Sequence, residues 1–392
     1  MRTHTSIRGK NCGRRADSLQ APQRHHCISG VRATALAVML VSLPIAPAQQ
    51  IAIGECPVPT AGRTRIITFD APGAGTGFSQ GTTATSINAA GAIAGYFVDS
   101  GNYCHGFVRS PNGVFSTFDV GPSNPTAGGT LALGINDAGT VTGYYTDTYG
   151  VGHGFVRSPA GVITTFDAPV SGASDTYAVA INDAGMVAGF FFQNAASFGF
   201  IRGPSGAFVP FEAGPGQAGL NGTRAVSINN ANAVTGFYSS LVLPQLGFVR
   251  APSGLTTNFR APGAVQGTNP TSINDPGTIT GYYADANGLN HGFVREPCGD
   301  LTTFDVPGAG GYHGAGTFAQ SINDAGVVTG YYSGMATGIR GFVRSPCGDF
   351  ITFAVPGTYI STVSVSINKV GVVAGYYTDN SNQESHGFLR TP

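Results

Sequence analysis

Ile135-Asn136-Asp137-Ala138-Gly139-Thr140-Val141-Thr142-Gly143-Tyr144-Tyr145, followed after a loop by Gly154-Phe155-Val156-Arg157-Ser158-Pro159-Ala160-Gly161-Val162-Ile163-Thr164-Thr165-Phe166-Asp167, reads as three strands joined in series. Asn136–Gly139 and Ser158–Gly161 carry the Asx, Pro and Gly residues that supply hairpin backbone conformations. The Ile-Asn anchor recurs at Ile87, Ile135, Ile181, Ile228, Ile273, Ile322 and Ile367, at intervals of 48, 46, 47, 45, 49 and 45 residues. With the strand that leads into each anchor, the unit is a four-stranded meander. Runs such as Val187–Phe192 are apolar on both strand faces, so both faces must be covered. An all-β chain of four-stranded units with a period of roughly 40 to 50 residues reads as a β-propeller, here of seven blades. An open β-solenoid is the competing architecture, and no capping repeat stands at either end to support it. The 59 glycines, 24 prolines, 42% hydrophobic and 10% charged residues suit short strands and glycine turns and exclude a disordered chain.

The chain ends argue for closure. Residues 65–70 form an orphan fourth strand, and the chain stops after a third strand, Gly387-Phe388-Leu389-Arg390, so the two fragments add up to one blade. A second register agrees. The residue before the third-strand glycine is His105, His153, Phe198, Leu246, His291, Arg340 and His386 in turn. The paired fourth strand ends in Asp119, Asp167, Glu212, Arg260, Asp305, Ala354 and, on closure, Asp70. Every His meets an Asp, and positions that vary together usually touch. His386 is therefore expected within about 6 Å of Asp70, the range over which a carboxylate favours imidazolium.

The first 48 residues differ from the rest. Seven Lys and Arg precede an apolar run, residues 33–45, which ends in Ala46-Pro47-Ala48. This reads as a signal peptide cut after Ala48, the run being too short to span a bilayer. Residues 49–64 then form an extension and 65–392 the propeller, with no stable membrane insertion after cleavage. The mature chain keeps 13 basic and 19 acidic residues, a net charge of −6, and Lys369 is its one lysine. That balance excludes a nucleic-acid partner. Export permits disulfides among Cys56, Cys104, Cys298 and Cys347. Cys298 and Cys347 occupy equivalent places in successive blades, too far apart to pair on spacing grounds. Cys56 with Cys104 is the more plausible pair.

The unit resembles the HAF-type extracellular repeat, with its Ile-Asn turn, Val-x-Gly-Tyr strand and His-(Ala/Gly)-Phe strand. Here these are Ile273-Asn274, Ile279-Thr280-Gly281-Tyr282 and His291-Gly292-Phe293. The resemblance covers about residues 66–392, although three repeats lack the His. It implies a secreted protein and carries no catalytic residues.

Loops between the second and third strands share one face with the long, variable linkers between units, and variable loops on a rigid scaffold are where function tends to sit. The histidines fall on this face, yet each starts its own blade's third strand, so they cannot converge on one ion. A structural His–Asp tie is the reading. The seven asparagines read as turn caps, with an ion-binding ring as the alternative. Asp147-Thr148-Tyr149-Gly150 and Asp285-Ala286-Asn287-Gly288 open like calcium loops but lack the acidic twelfth position; they read as turns, and no cofactor is expected beyond a weak case for structural calcium. The third-strand arginines recur in every unit and read as scaffold. Irregular linker residues remain: Asp175, Tyr177, Asn221, Arg224, Tyr312, His313 and Tyr359, with Tyr312-His313 foremost. Aromatics with Asn, Asp and Arg suit sugar or peptide surfaces. A monomeric binding or scaffold module for an extracellular glycan or surface protein is the preferred function, since no nucleophile, base and orienting group can be assembled. The alternative is a propeller hydrolase or lyase on an extracellular polymer, with Asp175 and His313 as its acid–base candidates.

Overall fold

The computed structural model describes residues 64–121, 129–214, 222–240, 244–335, 338–356, 361–379 and 383–392. The proposed leader, the extension up to residue 63, Cys56, Asn221 and Tyr359 lie outside them. The described residues form 28 strands and no helix. Glycine explains why the repeat folds as it does. The second-strand glycine of the Val-x-Gly-Tyr pattern faces the third-strand phenylalanine: a Cβ on Gly281 would lie 2.1 Å from the Asn269 carbonyl oxygen and 2.8 Å from the Phe293 ring. The third-strand glycine makes room in turn for the fourth-strand phenyl, Gly292 beneath Phe304. Each motif thus lays one ring over the strand before it.

Each unit is an antiparallel meander. In the second, Thr130–Ile135 pairs with Val141–Thr146, that with Gly152–Arg157, and that with Ile163–Phe166. Strand limits fall within about two residues of those read from the sequence. The final meander, Ser361–Ile367, Val373–Thr378 and Ser385–Thr391, takes its fourth strand from Arg65–Phe69, paired antiparallel from Arg65↔Thr391 to Phe69↔Gly387. Every first strand carries a one-residue register shift, as between Ala84 and Ser86 or Pro270 and Ser272. Such a bulge raises local twist and explains how a proline fits there.

The core lies in slabs between neighbouring units. The third-strand phenylalanines Phe107, Phe155, Phe200, Phe248, Phe293, Phe342 and Phe388 are fully buried. Fourth-strand phenyls meet the next unit's third-strand phenyl edge-on, as Phe118 meets Phe155 at 5.8 Å. The recurring arginines complete this contact: Arg109, Arg157, Arg202, Arg250, Arg295, Arg344 and Arg390 place their guanidinium carbons 4.4–5.1 Å from the ring of the preceding fourth-strand phenylalanine. Burial pulls each of these arginines below its ordinary pKa. They are packing residues, and cation–π contact is their role.

The cysteines correct the sequence reading. Cys104 is free and half-buried, and its expected partner Cys56 lies outside the described residues. Cys298 and Cys347, which the blade spacing argued against linking, are both disulfide-bonded.

Candidate functional site

The first strands surround a central cavity whose two ends differ in chemistry. At the turn end the Ile-Asn anchors of all seven units line a space of about 200 Å3. Each asparagine works twice. Its Oδ1 accepts the amide four residues on, as Asn136 does from Thr140 and Asn229 from Ala233. Its Nδ2 donates to the main-chain oxygen of the next asparagine, from Asn88 to Asn136 at 3.0 Å and onward to Asn368, whose Nδ2 returns to the Asn88 oxygen at 3.2 Å. The asparagines therefore cap their turns and also tie units together. Outside them stand Asp137, Asp183, Asp275 and Asp324. Asp137, Asp183 and Asp275 donate their own main-chain amides to the next unit's Asp or Asn side chain. Lys369 reaches Asp137 with Nζ 2.8 Å from Oδ2. Burial pushes the Asp137 carboxyl up, and hydrogen bonds from Lys369 and the Ala89 amide outweigh it and hold it low.

The linker end is aromatic. Each second strand sends one half-buried ring there: Tyr96, Tyr144, Phe190, Phe237, Tyr282, Tyr331 and Tyr376. First-strand residues wedge between consecutive rings. Tyr177 lies 4.7 Å from Tyr144 and 5.1 Å from Phe190, and Phe318 lies 5.2 Å from Tyr282 and 4.8 Å from Tyr331. Arg224 holds its guanidinium 5.1 Å from the Phe190 centroid, 5.6 Å from Phe192 and 5.9 Å from Phe237. Burial, with neighbouring tyrosines, pushes Tyr144 and Tyr331 up to about 12. Their hydroxyls therefore stay protonated donors at physiological pH. Inside this belt lies a cavity of about 490 Å3 whose lining includes Phe237, Asn269, Tyr282 and Gln320. Beside it a pocket of about 240 Å3 opens between the third and fourth units.

The residues singled out by sequence separate into two groups. Asp175, Tyr177 and Arg224 meet at the belt. Asp175 sits at a bulge with φ +40°, where its carboxylate accepts the Gly152 amide at 2.9 Å and stands 3.5 Å from the Tyr177 hydroxyl. Tyr312 and His313 are exposed instead, with the His313 imidazole packed over Gly288. No hydrogen bond or ion pair joins Asp175 to His313 among the described residues. The belt tyrosines escaped the sequence reading, although an aromatic after the second-strand glycine in every unit was its signal.

The histidines occupy fixed positions away from the belt. His105, His153, His291 and His386 set Nδ1 at 2.8, 2.7, 2.9 and 2.9 Å from Asp119, Asp167, Asp305 and Asp70. In the first three, Nε2 faces a loop aspartate, Asp99, Asp147 or Asp285, at 3.4–3.6 Å. Each imidazole also stacks on a second-strand ring, as His153 does on Tyr145 at 5.0 Å. Both nitrogens are thus engaged in three of the four. The loop aspartates close Asx turns: Asp147 Oδ1 accepts the amides of Tyr149 and Val151, and Asp285 those of Asn287 and Leu289. The other carboxylate oxygen of each faces the His Nε2. Around His386, Asp379 and Glu384 bring three possible ligand atoms within 4.8 Å of one another, the one such group among the described residues.

Backbone hydrogen bonds first, and the His contact after them, hold the carboxyls of Asp147 and Asp285 below their ordinary range. For Asp99 burial pushes upward and the same hydrogen bonds prevail. A carboxyl depressed on folding adds stability above its unfolded pKa and loses it as pH falls through the folded value, so this contribution disappears below about pH 4. Asp285→Asn can keep the turn through its side-chain oxygen but does not titrate. Its melting temperature is expected to fall less steeply than wild type's between pH 4 and pH 2; equal slopes in thermal melts would remove Asp285 from the acid response.

No family model matches the chain. No curated protein matches it either. Among solved structures it is similar to virginiamycin B lyase from Staphylococcus aureus, at 11% identity and TM-score 0.55, covering 84% of this chain and 100% of that one. A streptogramin B lyase structure gives 13% identity and TM-score 0.55, covering 83% and 97%. At such identities the likeness shows the fold alone, and that fold is the β-propeller.

Proposed function

We propose that this chain is an exported binding module, a closed seven-bladed propeller of HAF-type repeats that holds a saccharide of an extracellular or cell-surface polymer at its linker-side mouth. The aromatic belt carries this reading. Of the seven half-buried rings, five of them tyrosine, Phe237 and Tyr282 stand on the cavity wall, and the hydroxyls of Tyr144, Tyr282, Tyr331 and Tyr376 have no hydrogen-bond partner among the described residues. Flat apolar faces beside fixed donors suit a sugar ring, which has one apolar face and an equatorial rim of hydroxyls. Closure is supported by the Arg65–Phe69 strand on Ser385–Thr391 and by the Asn368 bond back to Asn88. Export is supported by the leader-like residues 1–48 and by two disulfide-bonded cysteines, which suit an oxidising compartment.

The test is calorimetric titration of residues 49–392 with soluble neutral and acidic polysaccharides. Binding in the micromolar range is expected, and Tyr282→Ala should weaken it roughly three- to tenfold, the scale of one lost aromatic contact. No binding to any polysaccharide at high micromolar concentration would falsify the proposal.

A further inference from the structure

Arg224 is a cation without an anion. Its guanidinium rests among Phe190, Phe192 and Phe237, yet it makes no hydrogen bond or ion pair with any described residue. The neighbouring stretches 215–221 and 241–243 contain no Asp or Glu. The nearest irregular carboxylate, Asp175, is already engaged by Gly152 and Tyr177. Arg224 also breaks the repeat. The equivalent first-strand positions hold Thr83, Leu131, Tyr177, Asn269, Phe318 and Val363, and the recurring arginines of the fold lie on third strands. Five donors in a rigid planar fork, oriented by three rings and left unmatched, match a carboxylate in two-point geometry.

The pocket beside Arg224 fits this chemistry. Its volume of about 240 Å3 is lined by Phe192, Ser197, Gly222, Phe237, Ser239 and Gln245 as well as the arginine. That lies below the roughly 300 Å3 at which drug-sized sites begin, which limits it to a group of about one ring. Ser197 is buried, and Ser239 donates to Gln245, which in turn donates to Asn269. Hydroxyl and amide groups therefore surround two phenyl faces, with the cation at the wall. A ring-sized pocket with phenyl faces beside hydroxyl and amide groups favours a sugar carboxylate over the acyclic side chain of an acidic peptide, and the tri-glutamate probe below separates the two.

We infer that the Arg224 pocket is a subsite for the carboxylate of an acidic sugar, a uronate residue of the ligand polymer. The inference rests on the binding function proposed above and specifies its ligand. The probes are tri-galacturonate, its methyl ester and tri-glutamate, titrated into residues 49–392. Tri-galacturonate should bind ten- to hundredfold tighter than the ester, the range of a charge-assisted hydrogen-bond pair, and the margin should shrink with salt. Arg224→Met fills similar space among the rings and should abolish the preference, acid and ester then binding alike. Arg224→Lys keeps the charge without the fork and should retain only part of the preference. Melting curves of both variants report whether the belt remains packed. Equal affinity of wild type for acid and ester, or an unchanged preference in Arg224→Met, overturns the uronate subsite with the binding function intact. Tighter, Arg224-dependent binding of tri-glutamate overturns the sugar assignment. Binding of none of the three, with neutral polysaccharides also unbound, means the function itself has failed.

Discussion

Deleting residues 65–70 is expected to cost most of the stability of the described array, far more than loss of a terminal segment normally does. That strand is the outer neighbour of Ser385–Thr391 through five residue pairs, so its removal leaves one whole side of the strand unpaired. Phe69 is 8% exposed, packs with Leu389 and Phe107, and lies beneath the Arg109 guanidinium at 4.8 Å. Truncating a buried phenylalanine costs about 3–5 kcal/mol, and Phe69→Ala alone should cost that. The full deletion also removes the ladder and the Asp70–His386 contact. Against a total near 5–15 kcal/mol, the deleted chain is expected to lose its cooperative far-ultraviolet transition at the wild-type midpoint. Adding a peptide of residues 64–71 in trans should restore part of it, because the vacated edge is a template for that strand. A deleted chain that melts with the intact one would mean that the chain's start does not complete its last unit.

The repeat was legible because its signals are local. The anchors, the turns and the Gly-Phe motifs all lie within one meander, where a period of two and a few Asx and Gly residues determine the course of the chain. The His–Asp register was legible across units because paired substitutions leave a trace in the sequence. The belt was not. Tyr282 belongs to a strand that is apolar on both faces, and only the angle between neighbouring units decides that Tyr282 faces the cavity while Tyr283 enters the core. The same geometry divides the irregular residues. Tyr177 and Arg224 replace first-strand positions that point between rings, so they fall into the belt. Tyr312 and His313 belong to the linker proper and stay on the surface. The cysteines misled as well: Cys298 and Cys347 are both disulfide-bonded, which their equivalent places in successive units did not disclose.

Asn229→Ala is expected to destabilise the protein by about 2–4 kcal/mol, although asparagine is among the residues most often found exposed in folded proteins. Asn229 is 4% exposed, and truncation leaves the Ala233 amide without its acceptor and takes from the Asn274 oxygen one of its two donors, the Gly277 amide remaining, so the cost is that of one stranded donor plus one lost hydrogen bond. A buried polar group left without its partner costs about 1–3 kcal/mol. Asn229→Asp separates the two roles, since it keeps the cap and loses the donor, setting a carboxylate against a carbonyl. It should lie between wild type and Ala at acid pH, where the carboxyl is protonated and can donate, and should approach or pass Ala near neutrality. The decisive comparison is Asn368→Ala. In an open array the last asparagine would have no next unit to bond, and its loss would remove the cap alone, about 1 kcal/mol. In a closed ring its Nδ2 holds the Asn88 oxygen, so the cost should equal that of Asn229→Ala. Denaturant unfolding of the two variants side by side decides the matter: matched losses mean that every joint in the ring is equivalent, and a loss at Asn368 well below that at Asn229 means that the ring stands open between the last unit and the first.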